Sequence, residues 1–131
     1  RDARRIADLK QLQLALELYY DSNQSYPATA AGGVEGGDLG LSALTAGQFI
    51  SQVALDPTNA ATYKYSYASA DGSTGLKCTA IPCSSYVLKA NIEGGPTAVP
   101  VGDVDDVWGE IAGVTPCADD AAPESAYCVK P

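Results

Sequence analysis

Three sets of side chains in this 131-residue chain could do chemistry: four cysteines, a group of close-set aspartates and an alternating run of tyrosines. The cysteines are Cys78, Cys83, Cys117 and Cys128. An even number in a small domain reads as two disulfides, and so as an oxidising compartment. Zinc is the competing chemistry, but its thiolate ligands recur at C-x₂-C spacing. Here Cys78 and Cys83 enclose four residues, and Cys117 and Cys128 enclose ten. Three connectivities are possible; Cys78 with Cys83 and Cys117 with Cys128 is the simplest in topology.

The aspartates lie in Gly102-Asp103-Val104-Asp105-Asp106-Val107-Trp108-Gly109. Hard cations such as Ca²⁺ bind several carboxylate and carbonyl oxygens from a flexible loop. Asp103, Asp105 and Asp106 are the candidate ligands, without EF-hand spacing; the alternative is a solvated acidic loop. Hydrolysis by a carboxylate pair would need a pocket and a perturbed pKa, and neither is legible in sequence. The chain contains no histidine, which removes the commonest general base and excludes hydrolases with a histidine partner. The expectation is a non-catalytic protein. Eight Lys and Arg against 16 Asp and Glu give a net charge of −8, so no nucleic-acid partner is expected. Residues 1–10 carry four cations against two acids, or +2, while residues 93–131 carry one cation against eight acids, or −7. That asymmetry reads either as a solubilising face or as docking between copies, basic helix start against acidic loops. Trp108, flanked by Val107 and Ile111, reads as a core anchor, with an exposed ligand platform as the alternative.

The elements that must position these groups follow from hydrophobic period. Residues 2–22 form an amphipathic helix, with Ile6, Leu9, Leu12, Leu16, Tyr19 and Tyr20 on one face and no Gly or Pro within. Ala3, Ala7, Leu14 and Leu18 make a second, weaker stripe, readable as an interhelical contact or as tolerated surface. Asp21-Ser22-Asn23 ahead of Tyr26-Pro27 ends the helix. Residues 23–61 read as a connecting stretch, irregular where Gly-rich, with a short helical or coiled segment from Leu41 to Leu55. Tyr63, Tyr65 and Tyr67 alternate with polar or small residues as a half-buried strand over 62–68. A sugar-binding ladder is the alternative to core packing. Ser85–Ile92 is a second strand and Val107–Ile111 a third, joined too tightly for crossover helices, so the meander of 62–112 is antiparallel. Residues 113–131 form a disulfide-closed C-terminal loop. The fold class is α+β in a single domain over 1–131.

Leu18-Tyr19-Tyr20 with Tyr26-Pro27, then Asp56-Pro57-Thr58-Asn59, Tyr63–Ala68, Tyr86-Val87-Leu88-Lys89-Ala90, Glu93-Gly94-Gly95 and Tyr127-Cys128-Val129 occur in an order that spans the chain. In this order it resembles the globular part of a type IV pilin or type II secretion pseudopilin. The resemblance implies a non-catalytic structural subunit that forms a homo-oligomeric filament with other pilin subunits, either an extracellular pilus or a periplasmic pseudopilus. It implies an apolar N-terminal half-helix of about one bilayer width, anchored in the inner membrane before assembly. A leader removed by a dedicated peptidase and an early glutamate would accompany it. It also implies calcium in the loop after the Tyr86–Ile92 strand, although Pro96–Pro100 departs from the pseudopilin pattern. The chain opens at Arg1-Asp2-Ala3-Arg4-Arg5 on a helical pattern with no N-cap residue ahead, and a shortened start is the expectation. Ala3, Ala7, Leu14 and Leu18 are then assembly residues. The alternatives are a secreted binding module, an adhesin or inhibitor, and a minor pilin at a filament tip.

Overall fold

A computed structural model describes residues 1–29, 33–60, 63–73, 77–94 and 125–131. Helix α1 runs Asp2–Asn23, a short strand β1 Val34–Glu35, a single helical turn α2 Ser42–Ala46, and strands β2, β3 and β4 span Ser66–Ala70, Ser85–Ile92 and Ser125–Val129. The four strands form one antiparallel sheet in chain order, β1-β2-β3-β4. The α+β class, with a helix packed on an antiparallel sheet, is as the sequence predicts.

The first helix forms where the apolar spacing places it. Leu9, Leu12, Ala15 and Leu16 are buried, and Ile6, Tyr19 and Tyr20 pack at the edge of the same core. Its last residue, Asn23, stands four before Pro27. Gln24 enters the left-handed region (φ 57°), and its N–H bonds the Tyr20 carbonyl. The Asn23 side chain caps the Tyr19 carbonyl, so the last turn is closed by local hydrogen bonds.

The sheet face beneath α1 carries Tyr67, Tyr86, Leu88, Ala90, Ile92, Tyr127 and Val129, and Leu39, Leu41 and Leu44 fill the remaining side of this core. Gly40 (φ 66°) lets the chain double back there, with the site of an added Cβ only 3.2 Å from Val34 Cγ2. The opposite sheet face is also buried, around Ala68, Ala70, Val87 and Cys128, with Ser66, Ser85, Lys89 and Asn91 among them. The strands are thus closed on both faces, where alternation predicts half-burial.

Three boundaries differ from the sequence reading. Strand β2 starts at Ser66 rather than at 62, because Tyr63 turns back on Ala60, donating its N–H to that carbonyl at 3.0 Å. Strand β1 arises inside the stretch read as connecting, pairing Val34 with Tyr67 and Glu35 with Ser66. Strand β4 arises inside the stretch read as a C-terminal loop, and it pairs with β3 from Leu88 to Ile92. The strand expected at Val107–Ile111 lies outside the described residues.

Candidate functional site

The outward face of α1 carries the second stripe. Ala3 and Ala7 are exposed, and Leu14 and Leu18 are 64% and 45% exposed, large apolar side chains facing away from the core. Beside them, Phe49 and Ile50 follow α2 and lie only partly buried. Gln11, Leu14, Ala15 and Leu18 from the helix and Phe49, Ile50 and Ser51 from the connecting stretch line an open groove of about 320 Å³. Tyr19 meets Phe49 edge to face, with centroids 5.6 Å apart, which fixes the groove floor to the helix. The groove is open, with Gln11 and Ser51 among mainly apolar side chains, and could accept another partly apolar surface.

At the start of the same helix, Arg5 lies wholly out of solvent, the position on the core face one turn ahead of Leu9. Its guanidinium forks onto Asp56, with Nε donating to Oδ2 at 2.7 Å and Nη2 to Oδ1 at 3.0 Å. Nη1 donates to Asp2 Oδ1 at 2.8 Å, and Nη2 also reaches Glu93 Oε1 at 2.8 Å and Thr58 Oγ1 at 3.1 Å. The Tyr63 ring stacks on it, 4.9 Å from Cζ to the centroid. Asp56 in turn accepts the Thr58 and Asn59 amides, the turn that Asp56-Pro57 announces in sequence. Three carboxylates from the helix, the connecting stretch and the end of β3 thus meet one buried cation. Arg1 adds a second cation from the surface, bonding Glu93 through Nε and Nη2.

Each group responds in the direction its neighbours dictate. Hydrogen bonds from Arg1 and then Arg5 hold the Glu93 carboxyl down at about 2. Burial opposes ionisation of Asp2 and Asp56, yet the bonds each accepts outweigh it, and both lie below the usual carboxylate range. Asp56, by its bond, raises Arg5 further above its ordinary value.

Two of the four helix-start cations are engaged within the chain. Arg1 and Arg5 do not form a free basic patch for a neighbouring copy; both are paired inside the chain, with Glu93 supplying one of the acids assigned to docking. Arg4 and Lys10 keep the helix start basic at its exposed side. Arg5 itself carries a signal that sequence reasoning passed over. It stands at i−4 from Leu9, in register with the buried stripe.

The tyrosine run packs inward. Tyr65 and Tyr67 are buried, and their hydroxyls donate to Asp8 at 2.7 Å and to the Pro27 carbonyl at 2.8 Å, so these two cannot serve as an exposed sugar ladder. Cys78 and Cys83 form a disulfide with a Cα separation of 5.8 Å. Cys128 lies buried on the far face of β4, and Cys117 lies outside the described residues. So do the candidate calcium ligands Asp103, Asp105 and Asp106, together with Trp108. Among the described residues no helix is long and apolar enough to cross a membrane. Compared with protein-family models, with curated proteins and with solved structures, the chain matches none.

Proposed function

We propose that the chain is the globular domain of a filament subunit of the type IV pilin or pseudopilin kind, non-catalytic and assembling through its first helix. The observation that carries the reading is the division of α1 into two faces. One closes the core over an antiparallel sheet, and the other holds Ala3, Ala7, Leu14 and Leu18 open beside an apolar groove. A helix needed only by its own domain has no use for two apolar stripes; a helix bundled with its copies does. In this reading an apolar stretch encoded ahead of Arg1 anchors the subunit in the inner membrane and then packs in the filament core. Cys117 closes on Cys128, tying the C-terminal stretch to β4. Asp103, Asp105 and Asp106 bind calcium.

Leu14→Glu with Leu18→Glu tests the reading. In the full-length protein expressed in its native host, the double variant is expected to vanish from sheared surface filaments while remaining folded and present in cells. Normal filament incorporation of this variant would overturn it. The coding sequence ahead of Arg1 gives an independent check: a short basic leader, then about 20 apolar residues with an early glutamate, supports the filament. An ordinary cleaved signal peptide there points instead to a secreted binding module.

A further inference from the structure

The Arg5 cluster is layered from inside to outside. Asp56 is the inner layer, its side chain fully closed from solvent. Asp2 and Glu93 form the outer layer, with side chains 27% and 28% exposed. The outer layer also holds backbone. Asp2 accepts the Glu93 amide on Oδ1 and the Gly94 amide on Oδ2, both at 2.9 Å, so the turn leaving β3 is fastened to the helix start by one carboxylate.

The two layers differ in what their protonation leaves behind. Counting Arg1 and Arg5 against Asp2, Asp56 and Glu93, two cations meet three acids, for a local charge of −1. Neutralising one outer acid still leaves Arg5 forked onto Asp56. Neutralising Asp56 would leave the buried guanidinium without its bidentate partner, which is much the costlier change. The neighbouring charges do not alter this order. On α1, Asp8 accepts from Tyr65 and lies 3.7 Å from Arg4, one turn along. Asp56 and the Thr58 hydroxyl from the connecting stretch, the Tyr63 ring just beyond it, and Glu93 just after β3 face the guanidinium. With no histidine in the chain, carboxylates alone set the response.

We propose that this cluster is a two-stage acid latch: protonation of Glu93 and Asp2 frees the Glu93–Gly94 turn from the start of α1, while Asp56 and Arg5 stay closed and keep the helix docked. The stage acts where both carboxyls are held below their ordinary range, Glu93 at about 2. The stability this contact contributes is therefore full above about pH 4.5, the ordinary carboxylate range, and is lost as pH falls through the lower native values. The outer layer flanks Ala3, so opening it loosens the basic end of the exposed stripe. The latch stands whether or not the chain forms filaments.

An NMR titration of the intact protein from neutral pH to about pH 1, below the Glu93 value of about 2, tests it. The Glu93 and Gly94 amide resonances are expected to move at higher pH than those of Thr58 and Asn59, with α1 amides keeping helical shifts. Asp2→Asn, which takes the charge from the acceptor of the Gly94 amide, is expected to speed amide exchange at Gly94 about tenfold at neutral pH, the scale of one charge-assisted hydrogen bond, and to leave Thr58 unchanged. All four amides moving together with global unfolding would overturn the two stages. So would Glu93 and Gly94 amides that stay fixed to the lowest pH.

Discussion

At the scale of the residue, Arg5 shows why a buried charge is a demanding neighbour. Desolvating a guanidinium is expensive unless every donor finds an acceptor, and here three carboxylates and Thr58 oppose it. Arg5→Ala is therefore expected to destabilise the fold by about 3–5 kcal/mol, chiefly by stranding Asp56. Arg5→Lys should recover only part of this, since a point charge cannot reproduce the fork; urea midpoints of the two variants check both. Tyr86 presents the opposite case. Its buried hydroxyl makes no hydrogen bond of good geometry, with the Gln13 side chain as its near polar neighbour, so Tyr86→Phe is expected to leave the melting temperature unchanged or raise it. Tyr67→Phe, which removes a made bond to the Pro27 carbonyl, should lower stability by about 1 kcal/mol.

Elements were legible in proportion to their length and period. Helix α1 and strand β3 carry regular apolar spacing over 22 and 8 residues, and both fall where the sequence predicts them. Strand β1 has two residues and β4 five. Too short to show a period, they form because the open edges of β2 and β3 need hydrogen-bond partners, which is a property of the sheet rather than of the segments. The Arg5 cluster escaped for a related reason. Its members lie at positions 2, 5, 56 and 93, and only the fold makes neighbours of them. The exposed stripe, by contrast, was readable because one helix contains all of it. The two faces of α1 give a direct comparison. Leu16→Ala should cost about 2–5 kcal/mol, and Leu14→Ala should stay within about 0.5 kcal/mol of the parent, measured by chemical denaturation.

For the whole molecule, cross-links and charge govern stability together. The Cys78–Cys83 loop also anchors the exit from α1. Cys83 donates its N–H to Ser25 Oγ and accepts from the Tyr26 amide, while the Cys78 carbonyl accepts from Ser69. Ser69 and Thr29 hydrogen-bond each other in turn. Reducing this one small loop is expected to lower stability by about 2 kcal/mol on the chain-entropy estimate, seen as a drop in urea midpoint. Mass measurement of exported protein should show alkylation of four thiols after reduction and of none before it, if Cys117 and Cys128 are also joined.

The inward-turned tyrosines have their own consequence at the alkaline end of the pH scale. Burial raises Tyr26, Tyr65, Tyr67 and Tyr86 above the ordinary phenol range, and the carboxylates of Glu17 and Asp8 push Tyr26 and Tyr65 in the same direction. The native state thus retains phenolic protons that an unfolded chain gives up near pH 10, and stability is undiminished below that value and declines above it. Phenolate ultraviolet absorbance from these four rings should accordingly appear abruptly, in a step that coincides with loss of the helical circular dichroism. The core would then reveal its own opening by colour, without any added probe.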